Sequence, residues 1–225
     1  MSGYIFRQRC RPRGDFRIDE VLDFLDLIKE AFGCSTLYAS RGRPVDMSED
    51  GLRRILEKNV DKIFPELGTT LELFTIRPPS RDKRAVRIEI HTGIHPKQIF
   101  IDTYNISMDR SQVPDFDYLE KSIEIFEPFE AFLAEDENED KLDAYDRQQT
   151  IPKFNKPAII RGFHYLDKGM AQSVGGIDYC LKAPAWHVER FCKGVLIELV
   201  PGLFDNNNPE HLRVQEEVMD YFDLL

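Results

Sequence analysis

The sequence predicts an α+β fold: antiparallel sheet with packed helices. Apolar residues recur at helical spacing in some stretches and alternate with polar ones in others. The alternating stretches come in pairs joined by short turn-rich loops, so neighbouring strands run antiparallel. Each half of the chain ends strand, strand, helix, an order that suits α+β layering and admits a diverged pair of related units, although no residue-level repeat is visible.

Taken in order, Ile18, Val21, Leu22, Leu25, Ile28 and Phe32 mark an amphipathic helix that Gly33 stops. Ser48, followed by Glu49 and Asp50, caps a second helix whose buried face is Leu52, Ile55, Leu56, Val60 and Ile63, ended by Pro65. Residues 70–77 and 85–91 alternate as strands around the turn formers of 78–83, a hairpin, and 98–104 supplies a third strand. Leu119, Ile123, Phe126 and Phe129 predict a helix over 115–132 that kinks or restarts at Pro128. In the last third, 158–165 reads as a strand, 167–174 as a short helix stopped by Gly175-Gly176, and 185–191 with 195–200 as a hairpin turning at Cys192-Lys193-Gly194. Pro209 opens the closing helix behind an Asn208 cap. The composition of 135–157 is that of a connection. It divides the chain into an N-terminal α+β half, 1–150, ending in an acidic segment, and a C-terminal α+β half, 151–225, as two subdomains of one domain.

The chain has 225 residues, 42% of them hydrophobic, with 16 Phe and 8 Tyr, enough to bury a core. Its net charge of −10 has the wrong sign for gripping phosphate backbones, so no nucleic-acid partner is expected. The charge is local. Residues 1–113 hold 19 basic and 17 acidic side chains, whereas 114–146 hold 2 basic and 13 acidic. From Glu130 to Asp146 like charges crowd together, and the stretch reads as an exposed loop or a frayed helix end. An acidic patch attracts a basic protein across a Debye length of roughly 8 Å and speeds its arrival. The candidate partner-binding residues are therefore Asp115, Asp117, Glu130, Glu135, Asp136, Glu137, Glu139, Asp140 and Asp143. The order of an EF-hand calcium loop is absent from the segment.

Residues 1–17 carry five Arg and no apolar core of a signal peptide, and nowhere do about 18 apolar residues run together, so the expectation is a cytoplasmic protein without a membrane segment. Cys10, Cys34, Cys180 and Cys192 are widely spaced and outside any CxxC arrangement, which predicts reduced thiols.

Candidate chemistry is sparse. His91 and His95 have a spacing that a metal could use only on a helix, and Gly93 and Pro96 break one there. Cys180, His187 and Cys192 could converge across a hairpin as a nucleophile and base, but the apolar setting of Cys180 raises a thiol pKa. The strand Arg87-Ile-Glu89-Ile-His91 places His where a restriction-type nuclease needs Lys. Gly175-Gly176 follows a helix instead of opening one, so no phosphate loop is present. Arg7, Arg9, Arg11 and Arg13 form a basic arm that could contact nucleic acid or pair with the acidic tract of the same molecule, the second being the cheaper explanation. No catalytic residue, metal or cofactor is expected.

The last third carries Gly162-Phe-His-Tyr, Val174-Gly-Gly-Ile-Asp-Tyr, Pro184-Ala-Trp186-His-Val, Gly194-Val-Leu-Ile-Glu-Leu and Phe204-Asp-Asn-Asn-Asn-Pro209-Glu-His-Leu. Together these resemble the bacterial polymorphic-toxin immunity proteins, most closely the immunity protein 52 family, over residues 158–225. The resemblance implies an α+β protein encoded beside a toxin, often a type VI secretion effector with a restriction-endonuclease-like nuclease domain, which it neutralises by binding. It implies no catalytic residues. The alternatives from the residues themselves are a cysteine/histidine enzyme of unknown substrate and an adaptor for another basic protein.

Overall fold

The computed structural model of the protein describes residues 3–79, 82, 84–93, 101–135 and 156–224. They separate into two compact units, the first spanning Arg7–Phe126 and the second Glu127 onward together with residues up to Phe6. The fold is α+β, and every strand pairing whose register is resolved is antiparallel. No helix among the described residues is long and apolar enough to cross a membrane.

The first unit begins with β1 (Gly3–Cys10), of which Gly3–Phe6 count with the second unit, followed by α1 (Ile18–Ala31), β2 (Tyr38–Ala39) and α2 (Glu49–Asn59). Then come β3 (Thr69–Phe74), β4 (Arg87–Thr92), β5 (Asp102–Asp109) and α3 (Phe116–Phe126). Its strands lie in the order β2-β3-β4-β5-β1. The hairpin expected around residues 78–83 is β3 against β4, with Leu71 opposite Ile90 and Leu73 opposite Ile88. The third strand arrives later than the sequence suggests, at 102–109.

Ser48 caps α2 as expected, its Oγ accepting from the Gly51 N–H at 3.1 Å. The helix stops at Asn59, short of Pro65, because Asp61 Oδ1 draws the Ile63 and Phe64 N–H groups into a turn at 2.7 and 2.9 Å. Ile63, expected in the buried face, is 78% exposed; Leu52 and Leu56 are buried. Replacing Ser48 with Ala is expected to cost about 1 kcal/mol, read as a shift of the urea midpoint at unchanged slope.

Helices α1 and α3 pack beside each other, and their aromatic residues meet β5. The Tyr104 ring stacks on Phe126 with centroids 3.6 Å apart, and Phe24 meets Phe126 edge-on at 5.2 Å. Arg17 fastens this layer. Its guanidinium donates to the carbonyls of Phe126 and Arg11 at 3.0 and 3.1 Å and lies 3.7 Å from the buried Asp102. The Phe126 carbonyl belongs to the last turn of α3, where no helical N–H can reach it, so Arg17 supplies the missing donor.

Two segments depart from the sequence reading. The first half of the basic arm lies in strand β1, with Phe6, Gln8 and Cys10 buried and Arg7 and Arg9 alternating between them, while Arg11 and Arg13 follow it exposed and Arg13 pairs with Asp15 and Glu20. The restart after Pro128 and the loop expected from Glu130 onward are, over the described residues, β6 (Glu130–Glu135), a strand with Glu130 and Glu135 buried. Composition put the division near residue 150. The compact units divide after Phe126, where β6 lies between the start of β1 and β7.

The second unit continues through β7 (Phe163–Asp167), α4 (Lys168–Ser173), α5 (Ile177–Cys180), β8 (His187–Phe191), β9 (Gly194–Glu198) and α6 (Pro209–Tyr221). Its strand order is β1-β6-β7-β9-β8. The helix caps and the hairpin match the sequence, whereas the strand expected over 158–165 lies at Phe163–Asp167 and α5 is not foreseen. Asp167 caps α4 through the Met170 N–H at 2.7 Å, β8 and β9 form the hairpin, and Asn208 caps α6 through the Glu210 N–H at 3.0 Å. Gly194 is required by packing, since a Cβ there would come within 2.0 Å of the Leu166 carbonyl oxygen on the neighbouring β7. The order strand, strand, helix closes both units, as β4-β5-α3 and β8-β9-α6, while their beginnings differ.

Candidate protein-binding face

The acidic side chains singled out in the sequence divide three ways. Asp115 and Asp117 are exposed at the start of α3. Asp136, Glu137, Glu139, Asp140 and Asp143 lie outside the described residues. Glu130 and Glu135 are 2% and 6% exposed, so they are corrected from surface residues to interior ones.

The interior role of both is specific. Glu130 Oε1 sits 3.1 Å from Nε2 of the fully buried His164, whose Nδ1 accepts the Arg161 backbone N–H at 3.0 Å. That acceptor role leaves the proton on Nε2, so a neutral imidazole donates to the carboxylate. The Arg161 guanidinium lies over the Phe132 ring, 3.7 Å from its centroid, and brings a positive charge into the same cluster. Glu135 accepts from Asn206 Nδ2 at 2.5 Å and lies 3.4 Å from the Tyr4 hydroxyl, which donates to the Phe204 carbonyl at 2.6 Å. Buried carboxylates held this way organise the second unit and are not available to a partner.

Among the described residues, one cluster of exposed acids lies on α1 and α3. Val21, Phe24, Leu25 and Ile28 turn the apolar stripe of α1 inward, which leaves Asp19, Asp23, Asp26 and Glu30 exposed on steps of four, three and four. On α3, Leu119, Ile123 and Phe126 are buried, while Asp117, Lys121 and Glu124 are exposed. Packing the two helices side by side makes a groove of about 470 Å³, floored by Leu27 and Ile125 and rimmed by Asp23, Asp26, Glu30, Glu124 and Lys121. Four carboxylates therefore face one ammonium there. Among the described residues Asp26 of this rim pairs with Lys29 at 2.5 Å, and the rim is a concentration of negative charge. Asp115 and Asp117 extend it toward the start of α3.

Window sums along the chain hide this face. The carboxylates of α1 are balanced in sequence by the Arg residues before them, which belong to β1 and the loop after it. A readable signal exists: the acids of α1 recur at the helical period opposite its apolar stripe.

The thiol and imidazole groups considered for chemistry have different surroundings. Cys180 is buried, its Sγ 3.9 Å from the Ala171 carbonyl, and desolvation pushes its thiol up to about 11. His187 is half exposed and lies 3.8 Å from Glu189, and Cys192 is exposed at the β8–β9 turn with a left-handed φ of 47°. Cys10, also buried, is pushed up to about 12. With a disulfide reagent on the native protein, Cys192 is expected to react first and Cys180 and Cys10 at least about tenfold more slowly. Fast labelling of Cys180 would reopen the nucleophile reading. Among the described residues no group of three or more His, Cys, Asp or Glu is placed to hold a metal ion.

No family model matches the chain, and no curated protein matches it. Among solved structures the chain is similar to Pseudomonas aeruginosa T6SS protein PA0821, with a TM-score of 0.68 at 12% identity over 99% of this chain and 73% of that one. The likeness is one of fold.

Proposed function

We propose that the protein is an immunity protein that binds and neutralises a cognate antibacterial toxin, a nuclease of the restriction-endonuclease-like class delivered by a type VI secretion system, in the cytoplasm and without catalysis of its own. The observation that carries the reading is the acidic groove between α1 and α3. A nuclease surface must be basic to hold phosphates, so a rim of carboxylates with an apolar floor offers it charge complementarity and a place to bury side chains. Two further supports are the resemblance of residues 158–225 to the immunity protein 52 family and the fold shared with a T6SS protein. The enzyme alternative would need an accessible low-pKa nucleophile, which Cys180 is not.

The test is calorimetry with the purified product of the adjacent gene. A complex at submicromolar affinity, together with protection of cells expressing that product, is the expected result. No heat and no co-elution at micromolar protein would overturn the immunity reading.

A further inference from the structure

Strand β8 ends the strand order of the second unit, and among the described residues β9 is its one strand partner. Among the described residues nothing pairs with its outward edge, whose main-chain groups a further strand can use. The positions of those groups follow from the hairpin. Phe191 and Gly194 flank the two-residue turn Cys192-Lys193, so they form the closing hydrogen-bonded pair. Alternation then directs the N–H and C=O of Glu189 and His187 to β9 and those of Val188 and Arg190 outward.

Natural edges are blunted by short length, charged side chains, prolines or bulges. β8 is five residues long and carries Glu189 and Arg190, but their signs alternate, so the edge does not present the uniform charge that would repel a second copy. Trp186, the one tryptophan of the chain, stands just before it with 59% of its surface exposed. The side chains of His187 and Glu189 are 45% exposed and that of Arg190 59%. Arg190 reaches Asp178 on α5, and His187 faces Glu198 across the hairpin.

We infer that β8 pairs antiparallel with β8 of a second copy of this chain, centred on Val188. Symmetry requires the same patch from both copies, and the sequence around Val188 is self-complementary in this register. Val188 meets Val188 of the copy through two outward main-chain hydrogen bonds. His187 stands opposite Glu189 twice, a ring N–H donor to a carboxylate. Trp186 lies just before the strand with its main-chain N–H turned inward to the Leu199 carbonyl at 3.2 Å, so it adds no outward main-chain bond. Its exposed indole face comes within reach of Arg190 of the copy, a guanidinium that also holds Asp178. The competing register centred on Glu189 sets two carboxylates directly against each other at the closest side-chain spacing and is disfavoured. This edge belongs to the second unit and leaves the α1/α3 groove of the first unit as a separate surface, so the inference stands independently of the toxin reading.

The pairing is tested by sedimentation velocity on the full chain over about 1–200 μM, the range in which a short interface associates. Trp186 emission is followed over the same range as a direct reporter of its burial. Expected are a concentration-dependent dimer and a blue shift of Trp186 with the same midpoint. Trp186→Arg brings two cations within reach of each other and is expected to weaken the dimer at least about tenfold, and adding Arg190→Glu to it restores complementarity and association. Val188→Pro removes the outward N–H alone and is expected to abolish the dimer. Because Trp186 and Arg190 are exposed, their variants should keep the far-UV spectrum and melting midpoint, which guards against loss of fold in the proline variant. A chain that stays monomeric throughout the range overturns the inference. So does a dimer that ignores Trp186→Arg, or that the double variant fails to restore.

Discussion

With Asp23, Glu30 and Glu124 all changed to Lys, association with the basic partner is expected to slow by about 10 to 10³-fold at low ionic strength, and the salt dependence of the remaining rate to flatten or reverse. The three residues line the rim of the α1/α3 groove, and Asp26 is left in place because it holds Lys29. Since all three are exposed, the fold should survive, and a melting midpoint within a few degrees of the parent confirms that. Stopped-flow mixing over a salt series separates steering from contact: steering changes the on-rate, whereas a buried contact changes the off-rate. A parallel variant with Glu137, Glu139 and Asp140 changed to Lys distinguishes the helical face from the acidic tract that follows β6. If only the second variant slows association, the partner lands on the tract. Unchanged rates and salt slopes in both would remove charge steering as the basis of recognition.

The largest stability effect is expected at His164. Substitution with Ala deletes the donor to Glu130, the acceptor for the Arg161 N–H and a ring that packs 5.7 Å from Phe132, all in a fully buried site. Leaving a buried carboxylate without its donor and a buried N–H without its acceptor, together with the lost ring packing, costs roughly 3–5 kcal/mol, a large share of the 5–15 kcal/mol that holds a typical domain folded. Glu130→Gln keeps an acceptor for Nε2–H and should cost about 1–2 kcal/mol. Urea unfolding of the two variants checks the order. If Glu130→Gln is as damaging as His164→Ala, the carboxylate's charge, set against Arg161, outweighs the hydrogen bond.

The sequence reading succeeded where local signals decide structure. α1 and α6 follow from apolar spacing, Ser48, Asp167 and Asn208 announce helix starts, and the β3–β4 and β8–β9 hairpins follow from alternation around turn formers. It failed where charge was taken as exposure. Arg7 and Arg9 drew attention from Phe6, Gln8 and Cys10, although that alternation is itself a strand signal. Glu130 and Glu135 bracket an apolar core of β6, and their burial is tolerable only because His164, 34 residues further on, and Asn206, 71 residues beyond Glu135, supply donors.

The same distinction governs the candidate site. By itself the sequence determined the α+β class, most helix starts and the net acidity of −10, because propensity, capping and composition are local or additive quantities. Where that acidity is presented was decided by tertiary structure. Packing α1 against α3 brings Asp23, Asp26 and Glu30 beside Glu124, roughly a hundred positions away in the chain, while β6 takes Glu130 and Glu135 inside. Electrostatic potential depends on distance in space, and only the packing of non-local elements sets those distances.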